Sequence, residues 1–450
     1  MHPLLTTIGL IEIIKSTMHL QRRNPIVFVP GLFGSMGDEI IPGTGDWGFG
    51  MATPVYEPFV QQLEHWGYQK DRNLFIAFYD WRKACTECAE NYLMKTIELA
   101  RTKSKSRKVN LICHSMGGLV ARAYMQGKNY RGDVEHLIII GTPHAGAVNA
   151  YFFWAGGKLP YNRNLKSDIF KTLLEGYLWI LEKYYGEKND MDTIHHHLKG
   201  ARDLLPSRQY GNYLYYLDRE GAMNFISYQQ MHYKNDFLDD LNENQKRRMP
   251  RNVKVTLIAG KGIETNHCLQ IDPKRQPDGQ RWLDGRVVDV AKSLEGDGTV
   301  MVKSVMALEG DRYILHGSHE EILEKCGFVL RKKLGIEDEP LMRKRAEVLK
   351  NHVSILVKGV GEISLKALGS EGELTLYDGT EKAEGLYVEK YGNGLTWIIV
   401  TNCQYDHLIF HFLSKENHTL DVLVKDKGGN VKRVQSKEVS AGQRYRIHMD

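Results

Sequence analysis

Ser115 sits between Cys113 and Gly117 in the stretch VNLICHSMGGLVARAY, Val109 to Tyr124. A serine hydroxyl attacks an acyl carbon only when a nearby base takes its proton, and the hydroxyl must stand clear of the backbone to reach its target. The stretch has the pattern for this. Val109 to Cys113 is apolar apart from Asn110 and predicts a buried strand, His114 to Gly118 predicts an abrupt turn, and Leu119 to Tyr124 suits a helix. A strand-turn-helix corner pushes the serine Oγ out of the sheet edge, provided that its neighbours are small enough to pass close to strand and helix. Gly117 meets that demand. Cys113 fills the other small position with a side chain, and as a compact, often buried residue it is expected to be tolerated there. Without the flanking elements, an S-x-G match would be an ordinary Gly-rich turn.

An activated serine needs a base and a third group to orient that base. In α/β-hydrolases, which such a corner resembles, the acid follows a late strand and the histidine follows the last one. Asp297, in GDGTV (Gly296 to Val300), and His319, in HGSHEEILEKCGFVLRKKL (His316 to Leu334), fall in that order. The plain reading of Asp297 is an Asp-Gly turn, and Asp284 and Asp289 are the alternative carboxylates. His316 competes for the role of base. His319 is preferred because it falls at the first turn of the final helix, where the dipole favours a neutral imidazole. Ser318 and Glu321 have the spacing of a capping box for that helix.

The elements that must position these residues follow from the apolar pattern. Strands are expected at Ile26 to Val29, Leu74 to Phe78, Val109 to Cys113, Leu137 to Ile140, Val253 to Ala259 and Tyr313 to Leu315. Helices are expected between them, as at Pro58 to Trp66 and Ala84 to Arg101. Strands alternating with helices predict a mainly parallel sheet covered on both faces. Between Pro30 and Ser35 a Gly-containing turn follows the first strand, with backbone amides free to face a ligand. From Tyr151 to about Arg251 the rhythm breaks. That span lacks buried strands and carries an aromatic and aliphatic stripe, Ile169 to Tyr184, at helical spacing, which reads as a helical cap. The stripe is either plain core or a lid over an apolar substrate. His195, His196 and His197 read as a solvated run, since adjacent side chains on one helix diverge. After Ala259 a long loop is expected to hold GDGTV. Beyond about Pro340, alternating segments such as SILVKGV, LTLYDG and TWIIVTN, broken by NG, DG and GGN turns, predict a separate antiparallel β domain.

A chain of 450 residues is too long for one ordinary core. Its 42% hydrophobic and 26% charged residues are those of a soluble globular protein. A net charge of +5 is far from a nucleic-acid footprint and compatible with weak attraction to anionic lipid. The six cysteines are scattered, which favours a reducing compartment. Cys85 and Cys88 form a C-x-x-C without a second pair at zinc spacing, so neither metal nor redox use is expected. The first 24 residues have no Lys or Arg ahead of their apolar residues and no small-residue cleavage site. They read as an amphipathic helix and not a signal peptide. With no apolar run near 18 residues, a cytoplasmic location is expected.

Taken together, VPGLFGS (Val29 to Ser35), YDWR (Tyr79 to Arg82), HSMGG (His114 to Gly118), TPHAG (Thr142 to Gly146), DLLPS (Asp203 to Ser207) and GDGTV give the chain a family likeness. It resembles an α/β-hydrolase of the lecithin:cholesterol acyltransferase type. The resemblance runs from Val27 to about Leu330. It implies an α/β-hydrolase fold over residues 25–340 with a cap insertion at about 150–251, after an N-terminal arm at 1–24. Residues 341–450 lie outside it and read as a β-sandwich-like accessory domain. The resemblance makes Ser115 the nucleophile, Asp297 the acid and His319 the base. It makes the backbone N–H groups of Met116 and Leu32 the oxyanion donors, with Phe33 as the alternative to Leu32. Asp80, Trp81 and Arg82 would be structural or pocket-lining. The implied activity is hydrolysis of lipid-like acyl esters through an acyl-enzyme, without cofactor or metal. Acyl transfer to an alcohol is the near alternative, and a lapsed hydrolase-fold binding protein the distant one. The expected partners are an acyl-ester or lipid substrate and a transiently touched lipid surface, with no nucleic acid. Cys113 and the absence of the secretion signal and disulfide pattern of secreted members are departures.

Overall fold

A computed structural model describes residues 23–41, 44–157, 178, 180–187, 189–243, 248–273, 281–336, 352–369, 372–380, 382–383, 385–391, 394–400, 407–425 and 431–449. The chain divides into two compact units. The first holds residues up to Ser35 and most of the chain from Pro54 to Ala346; the second holds Met36–Thr53 and the C-terminal region from Glu347. The expected helical arm at 1–24, apart from its last two residues, and the first part of the aromatic stripe, Ile169 to Tyr177, lie outside the described residues.

The first unit is built on β1 (Ile26–Val29), α1 (Thr53–His65), β2 (Leu74–Ile76), α2 (Cys85–Cys88), α3 (Met94–Ser104), β3 (Val109–His114), α4 (Met116–Gln126), β4 (Val134–Ile140) and α5 (Val148–Gly156). The helix expected at Ala84 to Arg101 is continuous but changes pitch, because a π-helical turn at Ala89–Leu93 joins α2 to α3. Then come α6 (Asp190–His197), α7 (Lys199–Arg202), β5 (Leu214–Leu217), β6 (Met223–Phe225), α8 (Asp236–Glu243), β7 (Lys254–Lys261), β8 (Thr265–Asp272), β9 (Arg286–Ser293), α9 (Val302–Val305), β10 (Asp311–His316), α10 (Glu321–Lys325) and α11 (Gly327–Leu334).

Six strands form one sheet in the order β10-β7-β4-β3-β1-β2, and every pairing is parallel. Parallel neighbours cannot be joined by hairpins, so helices cross over between them and cover the faces. The central strands are accordingly near-continuous apolar runs. Ile26 to Val29 and Leu137 to Ile140 have no exposed surface. At about 25 cal/mol per Å² of apolar area removed from water, such strands supply most of the drive to form the sheet. All six expected strands are present, with β4, β7 and β10 longer than their apolar cores suggested.

Two expectations are corrected. The span from Tyr151 to Arg251 does contain strands, β5 and β6, and the segment after Lys261 is a hairpin-like pair, β8 and β9, before GDGTV begins. These four form a second sheet in the order β6-β5-β8-β9. Their pattern hid them. In β9, Arg286, Val288, Asp289 and Lys292 are exposed, and in β6 Met223 and Phe225 are, so apolar residues do not mark a single buried face.

In the second unit the described strands are β11 (Val353–Lys358), β12 (Gly361–Gly369), β13 (Gly372–Tyr377), β14 (Leu386–Tyr391), β15 (Leu395–Val400), β16 (Leu408–Ser414), β17 (His418–Lys425), β18 (Val431–Val439) and β19 (Arg444–Met449). They make two antiparallel sheets, β14-β15-β11-β17-β18 and β13-β12-β16-β19. Residues from both, including Ile355, Leu365, Ile398, Phe410 and Val422, share one buried core. Period-2 alternation and turn residues were enough to foresee this β domain. Among the described residues no helix is long and apolar enough to cross a membrane.

Candidate active site

Ser115 stands at the corner between β3 and α4 with φ 52° and ψ −127°. A non-glycine residue there carries strain on the order of 1–3 kcal/mol, which the surroundings must hold in place. They do so through three contacts. The Ser115 N–H donates to the Ile140 carbonyl at 2.9 Å, and its carbonyl accepts from the Thr142 hydroxyl at 2.7 Å and from the Gly118 N–H at 3.1 Å. From Leu111 to Gln126 every residue is buried except Ser115, which is partly exposed. Helix α4 starts at Met116, immediately after the serine, where Leu119 was the first helical residue expected. Cys113 is fully buried in β3, as its expected tolerance required, and burial holds its thiol protonated.

Asp297 and His319 meet beyond the ends of later strands. Asp297 follows β9 and pairs with Ile263 in an isolated bridge, and His319 follows β10. His319 Nδ1 lies 2.8 Å from Asp297 Oδ2, and the His319 N–H donates to the Asp297 carbonyl at 2.9 Å. The other carboxylate oxygen, Oδ1, accepts from the Thr299 N–H at 2.9 Å and the Val300 N–H at 2.7 Å. Asp297 and His319 are 1% and 2% exposed, so each acceptor of the buried carboxylate is used and the imidazole is held by its Nδ1 side. The capping box forms as expected. The Ser318 N–H donates to Glu321 Oε2 at 3.1 Å and the Glu321 N–H to Ser318 Oγ at 3.3 Å, just before α10.

The serine and the histidine are brought together through the strand ends. Ile140, whose carbonyl holds Ser115, is followed by Gly141 at φ 62°, where an added Cβ would lie 3.0 Å from His319 Cε1. The ring of His114, the residue before Ser115, lies 4.7 Å from the His319 ring, centroid to centroid. Ser115 Oγ has no hydrogen-bond partner among the described residues; links of this kind are often long until substrate is bound.

The turn after β1 completes the constellation. Gly31 to Gly34 is closed by a Gly34 N–H to Gly31 carbonyl bond of 3.0 Å, with Phe33 at φ 61°. A Cβ on Gly31 would lie 2.8 Å from the Ser115 Cβ, so turn and serine are in contact. Among the described residues the N–H groups of Leu32 and Met116 have no hydrogen-bond partner. The YDWR segment braces this turn. The Tyr79 hydroxyl donates to the Pro30 carbonyl at 2.8 Å, Trp81 Nε1 donates to the Ser35 carbonyl at 2.8 Å, and the Trp81 ring meets Phe33 edge-on at 4.6 Å. Asp80 is buried and clamped by Arg82 through two 2.8 Å bonds.

The competing residues lie elsewhere. Asp284 accepts from the Tyr151 hydroxyl at 2.8 Å, Asp289 is exposed on β9, and exposed His316 packs its ring over Gly262. His196 and His197 converge more than expected, on Glu187 at 3.2 Å and 2.7 Å, while His195 turns to the Trp154 carbonyl. Cys85 and Cys88 are buried, and burial pushes both thiols up.

Asp203 of DLLPS accepts from the Cys85 N–H at 2.7 Å. Burial raises its carboxyl from 3.8 to about 6. The folded state therefore binds this proton more tightly than the unfolded state. Its contribution to stability is full below about pH 4 and is lost as pH rises through about 6, a change on the order of 3 kcal/mol. Asp203→Asn removes that dependence. In urea unfolding, the variant should gain on the wild type by about this amount between pH 4 and pH 8; a pH-independent difference would contradict the assignment.

A six-stranded parallel sheet carrying a positive-φ serine at a strand-helix corner defines the class of this chain by its fold: it has an α/β-hydrolase fold. Residues 50–171 match the family model described as lecithin:cholesterol acyltransferase. The chain is 35% identical over 100 residues to Phospholipase A(1) LCAT3 and 28% identical over 96 residues to Lecithin-cholesterol acyltransferase-like 4, both of Arabidopsis thaliana. These alignments take in 21% and 20% of this chain and 22% and 18% of those proteins, so the chain matches about a fifth of its curated relatives' length. Among solved structures, the mature form of Bacillus licheniformis lipase BlEst2 aligns with 70% of the chain and 93% of its own, at 16% identity and a TM-score of 0.37. Within that fold, the likeness to the lecithin:cholesterol acyltransferase family lies in residues 50–171. The matched window contains Ser115, YDWR and TPHAG and ends before Asp297 and His319.

Tyr56, His114, Gly141 and Thr142 were not singled out from the sequence. His114 and Thr142 lie inside motifs that were, and Gly141 borders one, but nothing local says what they touch.

Proposed function

We propose that the chain is a serine-dependent carboxylic ester hydrolase acting on lipid-like acyl esters. The observation that carries this reading is Ser115, held at positive φ beside a buried His319–Asp297 pair. In this mechanism Ser115 Oγ attacks the ester carbonyl while His319 Nε2 takes its proton, and Asp297 stabilises the imidazolium through Nδ1. The carbonyl oxygen gains charge opposite the N–H groups of Leu32 and Met116, each typically worth about 10²–10³ in rate. Collapse of the tetrahedral intermediate breaks the ester C–O bond, and His319 returns the proton to the departing alcohol. Water then repeats the sequence on the acyl-enzyme, with His319 as base, and releases the acid. A lipid substrate is supported by the likeness to a phospholipase A(1) and to the acyltransferase family.

That family likeness also favours a second reading, in which an alcohol replaces water at the acyl-enzyme. The two differ only in the acceptor.

The test is labelling with an alkyl fluorophosphonate. Mass spectrometry of folded protein should find the adduct on Ser115, and p-nitrophenyl esters of increasing acyl length should be turned over with a preference for medium or long chains. Adding an alcohol acceptor and analysing the products separates hydrolysis from transfer. Folded protein that takes no label and turns over no ester would refute the reading, leaving a binding protein on a hydrolase scaffold.

A further inference from the structure

A buried hydrogen-bonded chain runs beneath the serine. The Gly31 N–H donates to the Tyr56 hydroxyl oxygen at 2.9 Å, Tyr56 Oη lies 3.0 Å from His114 Nδ1, and His114 Nε2 lies 3.1 Å from the main-chain carbonyl of His319. Its direction is fixed. An amide only donates and a carbonyl only accepts, so the neutral His114 carries its proton on Nε2 and Nδ1 accepts from the Tyr56 hydroxyl. Tyr56 and His114 have no exposed surface. Burial keeps His114 neutral, well below its ordinary range, and the proximity of His319 acts in the same direction. The rings interlock as well. Tyr56 meets His114 edge-on at 5.6 Å, and His114 lies against His319 at 4.7 Å.

The ends of this chain give it meaning. One end is Gly31, which lies against Ser115 and precedes Leu32, whose amide has no hydrogen-bond partner among the described residues. The other end is the backbone of His319 itself. The middle is the residue that precedes Ser115. Three segments widely separated in sequence, each bearing one working group of the site, are thus tied by three hydrogen bonds through two side chains.

We propose that Tyr56 and His114 are positioning residues that fix the spacing between the oxyanion turn and the base on either side of the nucleophile. The proposal rests on reading Ser115 and His319 as nucleophile and base. Neither residue touches substrate or passes a proton. They act by holding backbone, which matters because a misplacement of about 1 Å can cost 10² in rate. A neutral His114 also suits the reaction. As His319 becomes positively charged, an imidazole lying against it adds no second charge, and its Nε2–H continues to hold the His319 carbonyl.

Tyr56→Phe removes the hydroxyl and keeps the ring. It should lower kcat for a p-nitrophenyl ester by about 10- to 100-fold with KM within about twofold, because ground-state binding is untouched. Affinity for an alkyl trifluoromethyl ketone, which forms a tetrahedral adduct with the serine, should fall in the same proportion as kcat. His114→Gln provides a second variant: its amide can still donate to the His319 carbonyl but loses the link to Tyr56, and it should show a smaller loss of the same kind. Tyr68→Phe is the control. Tyr68 is buried in the same unit and its hydroxyl has no hydrogen-bond partner among the described residues, so kcat should not change. Folded Tyr56→Phe with wild-type kcat, or a kcat loss without the matching loss of ketone affinity, overturns the relay alone. A wild type whose Ser115 takes no phosphonate overturns the site and the relay with it.

Discussion

Ser115→Ala should abolish turnover of acyl esters, with kcat falling by about 10⁵-fold or more while the protein stays folded. The fold should tolerate the change because alanine keeps the Cβ and the backbone at φ 52°, and the three bonds that hold this residue are all to its own main chain or from it. Only the hydroxyl is lost, and it has no partner among the described residues. Denaturation midpoints of variant and wild type should therefore coincide to within about 0.5 kcal/mol, the usual range for changes that break no contact. His319→Ala should cost a similar factor, and the double variant little more than either single one, since groups that act as a unit are not additive. Additive losses would mean that the two residues work independently, and full activity of Ser115→Ala would remove the nucleophile from the scheme.

Gly117→Ala is expected to produce a large effect on folding. A Cβ on Gly117 would lie 2.4 Å from the Val29 carbonyl oxygen and 2.5 Å from that of Pro30. Both are backbone atoms of the end of β1 and the turn that follows it, so no side chain can swing aside. Either α4 lifts away from the sheet or the turn moves. Overpacking of this kind typically costs about 1–3 kcal/mol, and here the upper end or more is expected because rigid main chain must shift. The same displacement would carry Leu32 away from Ser115, so residual activity at low temperature should be lower by about 10² or more. Unfolding by urea and p-nitrophenyl ester kinetics on the folded fraction measure the two effects separately. A variant as stable and active as wild type would show that the corner is not packed as described.

What the sequence revealed and what it hid have physical causes. The pairing of Asp297 with His319 was anticipated from the chain order that α/β-hydrolases share, a resemblance and not a local pattern. The parallel sheet was legible because doubly covered strands are apolar throughout. The sheet of β5, β6, β8 and β9 was not, since exposed Arg286, Asp289 and Lys292 interrupt β9 and exposed Met223 and Phe225 mimic buried residues in β6. Tyr56 falls before the helix expected at Pro58 to Trp66, which in the structure starts earlier, at Thr53. Its role depends on partners 25 and 58 residues away, and no local pattern encodes such distances. The convergence of His196 and His197 on Glu187 was hidden for the same reason: the carboxylate comes from outside their helix.

The order in which the sheet is laid down has a consequence for the chain during its synthesis. His114, beside the proposed nucleophile, precedes His319 by 205 residues, and the strand that delivers the base is the sixth of six. At about 5–20 residues per second, a ribosome spends roughly 10–40 s between the two. For that interval the emerging polypeptide carries Ser115 without the residue proposed to activate it. On the proposed mechanism, activity waits on the last strand of the parallel sheet, since the residue assigned as base follows it.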